Sequence, residues 1–179
     1  MSAINLKLIT GAAVAALVLG AVFMTTRPNK NVRLNNPLNI EQGSDWDGLA
    51  NVQKDERFCT FESPEYGFRA AYIILLRYLE RDTNTINKIV ATWAPAFENH
   101  VNNYANFVSN RTNIDVDSFV EPTDLPQIIL AMADFEGAKG AYDISQVNQG
   151  IAIAHQAQYV IDRLAFIEEN TSLIERYLL

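Results

Sequence analysis

The sequence predicts a mainly α fold, a helical body carrying one small β-rich patch, behind a single N-terminal transmembrane helix. Three observations predict it. Residues Leu8–Thr26 form a run of nineteen residues without a charge. From Pro64 onward, apolar residues recur at helical spacing in several separate stretches. Between Asn39 and Phe61, turn residues (Gly43, Asp47-Gly48) break up short apolar pieces with poor alternation. With 179 residues, the chain holds about one domain beyond the leader.

At about 1.5 Å per helical residue, the uncharged run covers roughly the hydrocarbon thickness of a bilayer. Gly11 and Ala15, then Ala16 and Gly20, stand at the spacing that lets helices pack closely in lipid. A cleaved secretory signal is the alternative, but Val22-Phe23-Met24-Thr25-Thr26 offers no small-x-small cleavage site. Lys7 precedes the run, and Arg27, Lys30 and Arg33 follow it, which leans the body toward the cytoplasmic side. The expected division is an anchor over 1–26, a basic tether over 27–36, a domain over 37–153 and a C-terminal helical extension over 154–179.

In the body, Phe58–Phe61 is expected to be a strand with Trp46–Val52 as its hairpin partner. Ser63-Pro64-Glu65 starts a helix with a hydroxyl N-cap, proline at the first position and an acid in the first turn. Phe68, Ala71, Tyr72, Leu75, Leu76 and Leu79 then mark one helical face. A second helix carries Ile86, Ile89, Val90 and Trp93 and stops before Pro95. A third runs from about Asn99 to Asn110 through Val101, Tyr104, Ala105 and Val108. A fourth, capped by Thr123 or Asp124 with Pro126 in its first turn, runs to about Glu136. Ile144–Leu179 reads as one long or broken helix, with Asn170-Thr171-Ser172 as the expected break.

The net charge of −7 hides an uneven split. Residues 1–34 carry four cations and no acid, while residues 35–179 carry ten cations and twenty-one acids, a net of −11. An acidic body argues against nucleic acid as a partner, because phosphate binding uses a basic face. Cys59 is the single cysteine, which excludes a disulfide scaffold. Among Phe58, Thr60 and Phe61 it reads as a small buried hydrophobe. His100 and His155 lack partners at ligand spacing, so neither a metal nor a cofactor is expected.

One carboxylate is out of place. Leu125, Ile128, Ile129 and Met132 share a face with Glu136, which ends that apolar stripe just before Gly137. Burial there would raise a carboxyl pKa and make it a proton donor to a leaving oxygen, as glycosidases require. The alternative is a glutamate at a frayed end bending out to water. Asp45, Asp47, Asp55 and Glu56 in the β-rich patch are candidates for a second carboxylate, or solvated turn residues. Trp46, Trp93, Tyr104 and Tyr142 are candidates to stack on sugar rings, or core residues.

Several of these segments resemble a phage protein family whose members are labelled virion structural proteins. They are Asn35-Asn36-Pro37-Leu38-Asn39-Ile40, Trp46-Asp47-Gly48, Phe61 through Ala70, Thr85-Ile86, Trp93-Ala94-Pro95, Glu98-Asn99, Tyr104, Val108 and Phe135-Glu136. The likeness covers about residues 35–153. The first half is also similar to the β-lobe and following helix of bacterial glucosaminidases, and the third helix to the tyrosine-bearing helix of lytic transglycosylases. In those enzymes the catalytic glutamate precedes the β-lobe, whereas Glu136 follows it. The resemblance therefore implies a circularly permuted, lysozyme-like α+β fold. It implies Glu136 as the general acid and Tyr104 as the residue that positions or polarises substrate. Asp55 or Glu56 would support the developing charge, and Trp46, Trp93 and Tyr142 would contact the glycan. The chain departs from the family at Leu38, commonly Gly, and at Phe135-Glu136-Gly137-Ala138, commonly His-Glu-Asn-Gly.

The function this implies is a membrane-anchored phage virion protein that cleaves peptidoglycan glycan strands during infection or exit. The alternative is a non-enzymatic structural virion membrane protein whose degenerate lysozyme-like domain binds glycan or protein. Its expected place is the virion membrane or the bacterial inner membrane, crossed once. Its expected partners are peptidoglycan, the lipid bilayer, and other virion proteins or a second copy through the anchor and C-terminal helix.

Overall fold

The computed structural model describes residues 28–94 and 98–178. Over these residues the fold is mainly α, as the periodicity predicts. No helix among the described residues is long and apolar enough to cross a membrane. The expected transmembrane run lies outside them.

The centre is α2 (Pro64–Leu79), after the short α1 (Lys30–Arg33). The expected face of α2 is buried, and so are Gly67, Arg69, Ala70 and Ile73 between its members, so α2 is enclosed on most sides. Ser63 takes the extended N-cap conformation, yet its hydroxyl serves Glu65 rather than a helix amide. α3 (Ile86–Trp93) is capped by the Thr85 hydroxyl, which accepts from the Lys88 N–H at 3.3 Å, and it ends before Pro95 as expected. α4 (Glu98–Thr112) runs slightly longer than its periodicity suggests. A 3₁₀ turn (Pro122–Asp124) leads into α5 (Leu125–Ala133). There Asp124 accepts from the Glu121 N–H at 2.9 Å and caps the 3₁₀ turn, not α5.

The C-terminal stretch breaks earlier than expected. α6 (Ile144–Ala154) and α7 (Gln158–Leu178) are separated by His155–Ala157. Asn170 and Thr171 do not stop α7. Their side chains bond back to the carbonyls of Phe166 (2.8 Å) and Ile167 (2.9 Å), satisfying themselves within the helix. α6 packs most extensively on α2, with α5 and α7 also against it. Val160 and Ile167 are buried, and Arg163 pairs with Glu80 at 2.6 Å, so the start of α7 is part of the body.

The β-rich patch is thinner than a hairpin. Among the described residues it holds two isolated antiparallel bridges, Glu41 with Phe58 and Leu49 with Phe61. Side chains add to the few backbone bonds of the patch, such as those from the Cys59 N–H to the Ile40 carbonyl and from the Ala50 N–H to the Thr60 carbonyl, each at 2.9 Å. Asp55 accepts from the N–H groups of Arg57 and Phe58, each at 3.0 Å, and Gln53 from that of Thr60 at 2.7 Å.

Residues 28–36 correct the expected tether. Asn31, Leu34 and Asn36 are buried, and the Phe61 N–H donates to the Leu34 carbonyl at 3.0 Å. The segment is polar enough to resemble a linker, but its amides bury themselves by pairing. Asn36 donates to the carbonyls of Ile40 (2.8 Å) and Cys59 (2.9 Å) and accepts from the Ile40 N–H at 2.8 Å.

Candidate functional groove

After Ala133 the α5 helix widens into a π-type turn, Asp134–Ala138, that contains Gly137 at φ 108°. A π turn of this kind is frequent at functional sites. The positive φ favours glycine, so Gly137 is what allows the chain to swing away directly after Glu136. Asp134 anchors the turn. It is buried, pairs with the Arg111 guanidinium, and accepts from the Gly140 N–H at 3.0 Å.

Three asparagines from the N-terminal segment hold this turn. Asn31 donates to the Glu136 carbonyl at 3.2 Å, and Asn29 donates to the Gly137 carbonyl. Asn39 donates to Glu136 Oε2 at 2.9 Å and lies 3.4 Å from its carbonyl oxygen. Asn39 itself sits at φ 52°, a left-handed conformation that asparagine tolerates.

Glu136 lines a groove of about 410 Å³. Trp93 and Ala94 at the end of α3 line it with Glu136, and Leu38, Asn39, Glu41, Arg57 and Phe58 from the segment around the β-rich patch complete it. Glu41 and Arg57 are paired at 2.6 Å. The Phe58 ring carries two cations, Lys30 Nζ at 4.5 Å and the Arg57 guanidinium at 4.9 Å from its centroid. Each of these cations is also paired with a carboxylate, Lys30 with Asp55 and Arg57 with Glu41.

The predicted site residues do not all meet here. Glu136 and Trp93 line the groove. Tyr104 does not face it. Its side chain is fully buried, stacks on Phe135 with centroids 3.9 Å apart, and places its hydroxyl 3.4 Å from the Met132 carbonyl. Burial, and then the adjacent Glu136 carboxylate, push its phenol pKa well above the usual value, so it is a protonated donor behind the glutamate. Tyr104, expected to position or polarise substrate, lies beside Glu136 and outside the groove lining.

Asp55 lies one layer behind the wall, 2.8 Å from Lys30. Glu56 is exposed and does not line the groove. Trp46 packs 5.8 Å from the Arg77 guanidinium, and Tyr142 packs edge-on against Phe68 at 5.3 Å; both lie outside the groove lining. Sequence reasoning missed Asn39, Glu41, Arg57 and the pair Asn29/Asn31. The available signal was the density of asparagines over 29–39, more than a plain linker needs. Among the described residues no group of three or more His, Cys, Asp or Glu is placed to hold a metal ion.

Asp55 carries a pH signature. The Lys30 ammonium and the Phe58 and Arg57 N–H groups hold its carboxyl down at about 2. Its folded pKa is below the unfolded value of about 3.9, so its contribution is complete above about pH 4 and lost as pH falls toward 2. Between those values the thermal midpoint of the wild-type chain is expected to fall more steeply than that of Asp55→Asn. Parallel curves would contradict the pairing.

No family model matches the chain. It is similar to "Protein P5" of Pseudoalteromonas phage PM2, with 36% identity over 143 residues, covering 75% of this chain and 89% of that protein.

Proposed function

The chain belongs to the family of protein P5 of Pseudoalteromonas phage PM2, and from that premise we propose that it is a phage virion protein whose Glu136 groove cleaves peptidoglycan glycan strands. The observation that carries the reading is the Glu136 carboxyl, set on a wide turn at the edge of a 410 Å³ groove with one oxygen held by Asn39. In this reading the domain is lysozyme-like, and the apolar run Leu8–Thr26 anchors it in the virion membrane or the host inner membrane. As general acid, Glu136 passes a proton to the glycosidic oxygen as the C–O bond breaks, and positive charge develops on the sugar ring. The resulting carboxylate then takes a proton from the incoming hydroxyl, of water or of the sugar itself. Trp93 offers an aromatic face to a sugar ring. Asn39 fixes the carboxyl, and buried Tyr104 supports it from behind.

A second reading, a groove that binds glycan or a virion protein without cutting, is favoured by one observation. Glu41, the other carboxylate of the groove, is engaged by Arg57. The full-length protein incubated with purified peptidoglycan sacculi separates the two. Turbidity loss supports cleavage. Co-sedimentation without turbidity loss supports binding alone and overturns the enzymatic reading.

A further inference from the structure

The short segment Asn29–Asn31 touches both walls of the groove. Asn29 and Asn31 donate to the Gly137 and Glu136 carbonyls. Lys30, between them, turns the other way. Its ammonium meets Asp55 Oδ2 at 2.8 Å and lies 4.5 Å from the centre of the Phe58 ring. Consecutive residues near a helix start point about 100° apart, so one strap can serve two sides.

The two carbonyls need such partners. At a helix end the last carbonyls have no intrahelical donor. Here the positive φ of Gly137 carries the chain off the helix axis directly after Glu136. The direction of the Glu136 side chain then depends on what holds its carbonyl as well as on Asn39, which holds Oε2. A neutral amide donor suits that place, since a carboxylate there would repel the oxygens. Asn31 is buried at 2% exposure, more than a linker side chain warrants, and its own oxygen accepts from the Val32 N–H at 2.9 Å, which fixes its rotamer.

We propose that Asn29–Asn31 is a positioning strap that holds the Glu136 turn against the β-rich wall and so sets the geometry of the groove. Its catalytic consequence rests on the glycan-cleaving reading; its structural consequence does not. The two arms of the strap do different jobs. The asparagine arm aims Glu136 and acts on kcat. The Lys30 arm places the Phe58 wall and acts on KM.

The test uses full-length protein. With sacculi as substrate, Asn31→Ala is expected to lower kcat about 10- to 100-fold with KM within about twofold, the scale of a small misplacement of a reacting group. Lys30→Ala is expected to raise KM several-fold with kcat kept, and Lys30→Arg to restore it. Amide hydrogen exchange supplies a readout independent of activity. In Asn31→Ala, exchange at Gly140 and Ala141, just past the turn, speeds up about tenfold or more, while α2 keeps its protection. Unchanged exchange past the turn, or loosening of α2 by as much, overturns the proposal. If Asn31→Ala does not fold, Asn29→Ala, at the exposed end of the strap, is held to the same criteria. If the wild-type protein cleaves nothing, the glycan reading fails and the exchange result alone decides the strap.

Discussion

The Glu136→Gln substitution is expected to reduce glycan-strand cleavage by about 10²- to 10⁴-fold, the range that general acid–base catalysis supplies. Glutamine keeps the shape of the side chain and an oxygen to accept from Asn39, which donates to Glu136 Oε2 at 2.9 Å. It does not carry the proton that the leaving oxygen needs. The backbone ties of the turn, from Asn31 to the Glu136 carbonyl and from Asn29 to the Gly137 carbonyl, are untouched by the change. The thermal midpoint is therefore expected to stay within about 2 °C, a shift of less than about 1 kcal/mol for a chain of this size. A large fall in midpoint would mean that Glu136 is structural. Full activity with an unchanged midpoint would mean that another residue is the acid.

The second large effect concerns the fold. Gly150 lies where α6 crosses α2. A Cβ added there would stand 2.5 Å from the Glu65 carbonyl oxygen, 2.8 Å from Phe68 Cβ and 2.9 Å from the Arg69 nitrogen. All three are backbone or Cβ atoms of the central helix, and none swings aside as a side-chain tip would. The two helices must separate, in the packing that buries Phe68, Val147 and Ala154. Gly150→Ala is expected to cost about 2–3 kcal/mol, a fall in midpoint of roughly 4–12 °C. Thermal unfolding followed by circular dichroism checks it. A midpoint equal to wild type would mean that α6 does not press on α2 as described.

The helices were the legible part of the sequence. Pro64–Leu79 and Ile86–Trp93 follow from apolar periodicity plus a start and a stop signal, because those cues are local. The groove was half legible. Glu136 stood out because it ends an apolar stripe, whereas Trp93 was one of four aromatic candidates that the sequence did not rank. Asn31, Asn39, Glu41 and Arg57 did not stand out, since their roles depend on contacts across the fold. Asn31 and the carbonyl it serves are 105 residues apart, and Arg57 and Glu41 are 16 apart with no periodic link. The depth of Tyr104 was illegible for a similar reason. Its position on a helical face marks it as buried or as ligand-facing equally well, and the ring of Phe135 decides for burial. The polar residues over 28–36 imitate a tether because hydropathy does not register amides that bury themselves by pairing.

The most direct test of the groove's chemistry is mass analysis of the soluble products released from purified sacculi by full-length protein and by Glu136→Gln. The expected result is glycan fragments cut between sugars from the wild-type protein and essentially none from the variant. Release of no such fragments by the wild type, or equal release by both, contradicts it.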